Sequence, residues 1–228
     1  MARTPIVALI AVAGCFATAG ATKSASSHFI PTKTLSEAVT YVQGCGTGWL
    51  VTDQYVVTNR HVAACVREHY NGRAQVIFRT GFHVMAEIYS QAEGRYVDLA
   101  ILRLTARVNI RALRVAKRED QLRRDDLVLS IGNPAPSHWV PTSYRVVAQP
   151  RELPGGLDGV IVMEGYAIHG DSGSPVVTLD GKVVGVLFAR SKGHAYAIPV
   201  RPYLTELLQD LPRPTSQFSS NNDYYTFW

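Results

Sequence analysis

Residues 168–177 read Ile168-His169-Gly170-Asp171-Ser172-Gly173-Ser174-Pro175-Val176-Val177. A serine stands in a glycine-flanked turn, and an apolar run that reads as a strand follows it. The glycines let the backbone turn sharply and come close to a substrate carbonyl. A serine hydroxyl is a weak nucleophile at its free pKa. It needs a base to take its proton and donors for the oxyanion that attack creates. In such a turn the amides of Gly170 and Ser172 can point into one cavity. That makes them the candidate oxyanion hole and Ser172 the candidate nucleophile. Alone, Gly-Asp-Ser-Gly also serves as an ordinary turn. A base and its orienting acid must stand elsewhere in the chain for the catalytic reading to hold.

Two upstream stretches supply them. Tyr55-Val56-Val57-Thr58 is β-branched and aromatic, as a strand requires, and runs into Asn59-Arg60-His61-Val62-Ala63-Ala64-Cys65, read as a helical turn. His61 therefore sits where a buried strand leaves the core. Asp98 opens Asp98-Leu99-Ala100-Ile101-Leu102-Arg103-Leu104, whose apolar residues read as a core strand. An ionised Asp there is costly unless it is hydrogen-bonded. Imidazole takes a serine proton because its pKa lies near neutrality. A buried carboxylate holds it in one tautomer and stabilises the imidazolium. The order His61, Asp98, Ser172 is that of the chymotrypsin-like enzymes and differs from those of α/β-hydrolases and subtilisins.

The rest of the chain agrees with a β-rich fold. Short strands are expected at 35–42, 49–52, 55–58, 74–79, 83–89, 99–104, 126–131, 143–148, 158–164, 175–178, 182–189 and 195–200. Turn signals such as Asp180-Gly181 stand between them. Leu204, Leu207, Leu208 and Leu211 recur at helical spacing, so 202–211 reads as a C-terminal helix. The expected layout is a signal peptide over 1–21, a linker over 22–34 and one domain over 35–211. Two halves, about 35–110 and 111–200, precede the helix. A flexible tail follows over 212–228, ending in Tyr224-Tyr225-Thr226-Phe227-Trp228.

Composition bounds the function. Of 228 residues 46% are apolar, enough for a core, and the net charge is +5. Lys and Arg are scattered. The densest run, 103–124, also carries Glu119 and Asp120 and reads as solvated surface, not a nucleic-acid stripe. Residues 5–13 are apolar but too short to span a bilayer, and Arg3 precedes them. Two processing readings stay open. Ala19-Gly20-Ala21 offers a cleavage site for secretion. Val12-Ala13-Gly14-Cys15 is similar to a lipobox, which would anchor the chain to the envelope through Cys15. Cys45 and Cys65 then remain, either as a disulfide in an oxidising compartment or as two buried thiols. No cysteine spacing suggests a metal, and no cofactor is expected.

Three local motifs resemble the trypsin-like serine peptidases. Thr58-Asn59-Arg60-His61-Val62 is similar to their histidine box, Asp98-Leu99-Ala100-Ile101-Leu102 to their aspartate box, and Gly170-Asp171-Ser172-Gly173-Ser174-Pro175 to their serine box. The likeness covers about 44–200. Leu127 to Pro134, Val183 to Ala189 and Tyr196-Ala197-Ile198-Pro199 resemble the bacterial high-temperature-requirement type. The resemblance implies two six-stranded antiparallel β-barrels, a catalytic triad of His61, Asp98 and Ser172, and a Cys45–Cys65 disulfide bracing the histidine turn. It implies a substrate pocket near Tyr166, Ala167, His169, Leu187, Phe188, Ala189 and His194. None of these is acidic, so an apolar P1 residue is favoured. An acidic P1 read by His194 or His169 is the alternative.

The departures from the family are specific. No activation-type Ile-Val-Gly-Gly opens the fold, so Asp171 must find another partner or water. Ser174 replaces a glycine, and no stretch remains for a PDZ domain. The expected function is a secreted or envelope serine endopeptidase acting on protein or peptide. The alternative is a silent binding module on the same fold, and a lesser one an esterase-like acyl hydrolase.

Overall fold

In the computed structural model the described residues are 32–92, 97–117, 122–153, 157–201 and 203–212. The expected signal peptide and linker, Cys15 and the aromatic tail lie outside them, save for the linker's last three residues. A short helix, α1 (Thr32–Glu37), leads into β1 (Val39–Val42), β2 (Gly46–Leu50) and β3 (Tyr55–Thr58). A longer helix follows, α2 (Arg60–Tyr70), then β4 (Arg73–Phe78), β5 (His83–Gln91) and β6 (Ala100–Leu104). The second half holds β7 (Arg114–Val115), β8 (Leu127–Gly132), β9 (Val140–Leu153), β10 (Leu157–Glu164), β11 (Pro175–Thr178), β12 (Lys182–Ser191), β13 (His194–Pro199) and α3 (Tyr203–Gln209).

The architecture is all-β. The first barrel closes in the order β1-β2-β3-β6-β5-β4. The second runs β11-β8-β9-β10-β13-β12 and closes through β11–β12, with the two-residue β7 added in parallel along β12. Both barrels are thus six-stranded and antiparallel, and closure removes the edges that an open sheet exposes. Trp49, Val57, Phe78, Ile101 and Leu102 are fully buried in the first barrel. Tyr144, Met163, Val176 and Leu187 fill the second. Leu204 and Leu207 of α3 join the core cluster that links the first barrel to Val177, Val183 and Val186.

Two local expectations fail for physical reasons. Leu35 was expected to open a strand. Instead Leu35 and Ser36 are the buried face of α1, and Ala38 bonds back to Leu35, so the strand starts at Val39. The helical turn after His61 continues to Tyr70. Val62, Ala63 and Val66 pack inward at i, i+1 and i+4, while Arg67, Glu68 and His69 face water. Asn71 stops it in the left-handed conformation (φ 51°). The C-terminal helix covers 203–209, inside the expected 202–211.

Cys45 and Cys65 are joined, with Cα atoms 5.7 Å apart. The bridge ties the start of the first barrel to α2 over a separation of 20 residues. Closing a loop of that length removes about 3 kcal/mol of unfolded-chain entropy.

Candidate active site

His61 is the second residue of α2, and its place is set from another strand. The N-cap Asn59 makes no side-chain cap bond. Asp98, two residues before β6, does the capping: its Oδ1 accepts the His61 N–H at 2.9 Å. Its Oδ2 lies 2.6 Å from His61 Nδ1. One carboxylate therefore holds both the main chain and the ring of His61, and leaves Nε2 as the outward nitrogen. Asn59 Nδ2 donates to the Asp98 carbonyl at 2.8 Å, which anchors the acid in turn. β3–β6 pairing places Thr58 opposite Ala100 and brings the two boxes side by side. The His61 side chain is 48% exposed and Asp98 20%, so the pair is open to an incoming substrate.

The serine turn is held from both barrels. Thr47 of β2 donates its N–H to the Ser172 carbonyl at 2.8 Å and its hydroxyl to the Gly170 carbonyl at 2.7 Å. The same hydroxyl accepts the Asn133 N–H at 2.9 Å. Gly173, at φ 91°, donates to the Leu187 carbonyl, and Ser174 N–H bonds the Asp171 carbonyl. Gly170 takes φ 97° with a Cβ position only 2.6 Å from the Pro134 main chain, so a side chain is excluded there. Among the described residues, the N–H groups of Gly170 and Ser172 have no protein acceptor. Two donors on one tight turn are thus free for a ligand oxygen.

The serine turn and the start of α2 both close on Gly46. A Cβ on Gly46 would lie 2.9 Å from both the Ser172 carbonyl and Val62 Cγ2, the residue after His61. The disulfide at Cys45 is adjacent. No hydrogen bond among the described residues joins the Ser172 hydroxyl to the His61 ring. Such bonds are often long before substrate is bound.

Asp171 finds its partner within the turn. Its buried Oδ2 accepts the Ile168 N–H at 2.8 Å, and Oδ1 packs against Gly132 without a hydrogen bond. Burial pushes its pKa up, while the Ile168 bond and the Arg190 charge pull the other way. The Tyr144 phenol donates to the Tyr166 carbonyl at 3.1 Å. Burial, with the Asp171 charge adding to it, holds that phenol far above its ordinary range. Ser174 is fully buried, and its hydroxyl has no partner among the described residues.

The expected pocket residues divide. Tyr166 is 80% exposed and His169 is exposed; Phe188, Ala189 and His194 are partly buried. Ala167 and Leu187 turn their side chains into the second-barrel core. Thr47, Asn59, Gly132 and Tyr144 were not singled out from the sequence. Asn59 lies inside the histidine box and Gly132 inside the 127–134 stretch that resembles the family, whereas nothing local marks Thr47 or Tyr144. Among the described residues no group of three His, Cys, Asp or Glu side chains is placed to hold a metal. None of the described helices is long and apolar enough to cross a membrane.

Two closed barrels, with a carboxylate–imidazole pair on one and a glycine-flanked serine turn on the other, define the chymotrypsin class of fold. The chain belongs to the trypsin-like peptidase domain family, whose model matches residues 46–186. It is 31% identical over 166 residues to a probable periplasmic serine endoprotease, DegP-like, of Ectopseudomonas mendocina (strain ymp); the match covers 69% of this chain and 33% of that protein. A protein of the same description from Rhizobium meliloti (strain 1021) is 30% identical over 163 residues, covering 68% and 31%. Among solved structures, the HtrA-type protease AlgW with decapeptide superposes with a TM-score of 0.62 at 26% identity, over 72% of this chain and 50% of that one. The chain spans about a third of the length of the curated relatives it matches.

Proposed function

We propose that this chain is a serine endopeptidase of the secreted or envelope space, cleaving peptide bonds through an acyl-enzyme. Ser172 is the nucleophile, His61 the general base and Asp98 its orienter. The observation that carries this reading is the double grip of Asp98 on His61, at Nδ1 and at the backbone N–H. It sets the tautomer with Nδ1 protonated and Nε2 able to accept. The periplasmic, serine-endoprotease descriptions of the relatives support the class and the compartment.

In the acylation step the Ser172 Oγ proton passes to His61 Nε2 as Oγ bonds the substrate carbonyl carbon. The carbonyl electron pair moves onto oxygen, where the free N–H groups of Gly170 and Ser172 receive it. The carbon–nitrogen bond then breaks, and the leaving amine takes the proton from His61. Water repeats the sequence, giving the carboxylic acid and restoring Ser172. Asp98 keeps its charge throughout and stabilises the imidazolium.

For the primary pocket, walls built from Tyr166 to His169 and from Phe188 and Ala189 offer no acidic group, which favours an apolar P1 side chain. Leu187 and Ala167 contribute main chain there, because their side chains are in the core.

The test is Ser172→Ala. It should abolish hydrolysis of an unfolded protein and labelling by a fluorophosphonate, with the disulfide and circular dichroism unchanged. A wild-type protein that resists the probe and cleaves nothing overturns the proposal and leaves the silent binding module.

A further inference from the structure

We infer that Thr47, in the opposite barrel from Ser172, is the positioning residue of the oxyanion turn; this rests on the peptidase reading above. The turn can be followed one peptide plane at a time. The plane between Asp171 and Ser172 is held by Ser174 N–H on the Asp171 carbonyl at 3.0 Å, which aims the Ser172 N–H outward. The next plane is held at both ends, by Thr47 N–H on the Ser172 carbonyl and by Gly173 N–H on the Leu187 carbonyl, each at 2.8 Å. The plane between His169 and Gly170 carries the second donor, the Gly170 N–H. That plane has no hydrogen bond among the described residues. Its direction follows from the one after it, through the Gly170 φ of 97°.

That following plane, between Gly170 and Asp171, has two anchors. One is Asp171 N–H to the Ile168 carbonyl, long at 3.2 Å and internal to the turn. The other is the Thr47 hydroxyl at 2.7 Å. Thr47 is fully buried in β2, and its Oγ1 is itself fixed by the Asn133 N–H at 2.9 Å. A hydroxyl has one proton to give. With Asn133 donating to it, that proton is committed to Gly170. Thr47 is further clamped by Thr58 Oγ1 on its carbonyl at 2.7 Å, in the residue that opens the histidine box. One side chain thus references the Gly170 donor to the barrel that carries His61. Asp98 takes no part in that link, and Ser172 meets Thr47 only through the Thr47 N–H.

The test is Thr47→Val, which keeps the backbone N–H bond to Ser172 and the branched shape but deletes the hydroxyl, with Thr47→Ala as a less bulky second deletion and Thr47→Ser as rescue. Kinetics on a fluorogenic peptide are read as kcat and KM separately, beside thermal melting of each variant. Both deletions should lower kcat by about 10–10²-fold with KM changed less than threefold, since a displaced hole donor acts in the transition state. Thr47→Ser should return kcat to within threefold of wild type. Inhibition by a peptide boronic acid, whose hydroxyl occupies the hole, should weaken in step with kcat. Binding of the uncleaved peptide to Ser172→Ala should be indifferent to the added Thr47→Val.

Wild-type kcat in a folded deletion variant overturns the inference. So does a loss of kcat that Thr47→Ser does not restore, or a loss that falls on KM alone. If Thr47→Val melts below the assay temperature, the same criteria apply to Thr47→Ala and the serine rescue. Failure of the peptidase reading itself looks different: wild type then shows no turnover that Ser172→Ala removes.

Discussion

Gly132, the last residue of β8, is the seat of the Asp171 carboxylate, and a single methyl there should disable the turn. A Cβ at Gly132 would lie 2.7 Å from Asp171 Cγ and 3.4 Å from its Cβ, with Oδ1 nearer still. Non-bonded carbons settle at about 3.5–4.0 Å, so in Gly132→Ala the carboxylate must retreat by about 1 Å. Rotating the side chain breaks the Oδ2 bond to the Ile168 N–H, and a hydrogen bond to a charged group contributes about 1.5–3 kcal/mol. Shifting the main chain instead carries the Ser172 N–H with it, because that group shares a peptide plane with the Asp171 carbonyl. Either route moves a donor of the proposed oxyanion hole, and a misplacement of about 1 Å costs about 10²-fold in rate. The expected result is a kcat about 10²-fold lower, KM within a few-fold of wild type, and unfolding free energy about 2 kcal/mol lower. Initial rates on a fluorogenic peptide and urea melts on the same preparation read both. In the Gly132→Ala/Asp171→Ala double variant the methyl keeps only an ordinary van der Waals contact with the residue 171 Cβ at 3.4 Å, so it should be no slower than Asp171→Ala alone. A folded Gly132→Ala enzyme with wild-type kcat refutes the reasoning. A double variant slowed by the same factor as the single does so too.

Asp98→Asn should keep the cap on α2, since the amide oxygen can still accept the His61 N–H, but its amide group would donate toward Nδ1 and fix the other tautomer. The rate should fall by about 10⁴-fold with KM nearly unchanged, read from peptide hydrolysis, and a loss below tenfold would contradict the orienting role. Asp171→Asn should flatten the pH dependence of stability. The folded pKa of Asp171 is raised above its ordinary 3.8, chiefly by burial, with Arg190 and the Ile168 N–H opposing. The folded state therefore binds the proton more tightly. Its contribution is fully present below the unfolded pKa and is lost as pH rises through the folded one. Urea melts from pH 3 to 8 should show the variant gaining on wild type as pH rises, and a difference that is constant or shrinks would refute the assignment.

The proposed chemistry is legible because its candidate residues stand in contiguous boxes. Histidine, aspartate and serine each stand at a strand end, and their order on a β-rich chain excludes the parallel-sheet hydrolases. Cysteine pairing followed from the family likeness, and the structure joins Cys45 to Cys65. Local signals misled where burial outweighed propensity. Leu35 looked like strand but packs as the inner face of a helical turn. The apolar side of α2 is three residues wide, so only its docking under the disulfide shows how far it runs.

What the sequence by itself determined is therefore which side chains are proposed as the reacting groups: short motifs suffice to point to side chains whose chemistry is their own. What only the tertiary structure decided is what holds them. Thr47 reaches Gly170 across 123 residues of chain, and Asn133 reaches Thr47 across 86. Gly132 meets Asp171, and Tyr144 meets Tyr166, because closure of the second barrel sets β8 beside β11 and β9 beside β10. A hydroxyl and a buried phenol carry no local pattern, and the stretch around Gly132 does not show what its missing Cβ makes room for. Their roles come from the positions that barrel closure gives them, and register between distant strands is set by the packing of the whole core.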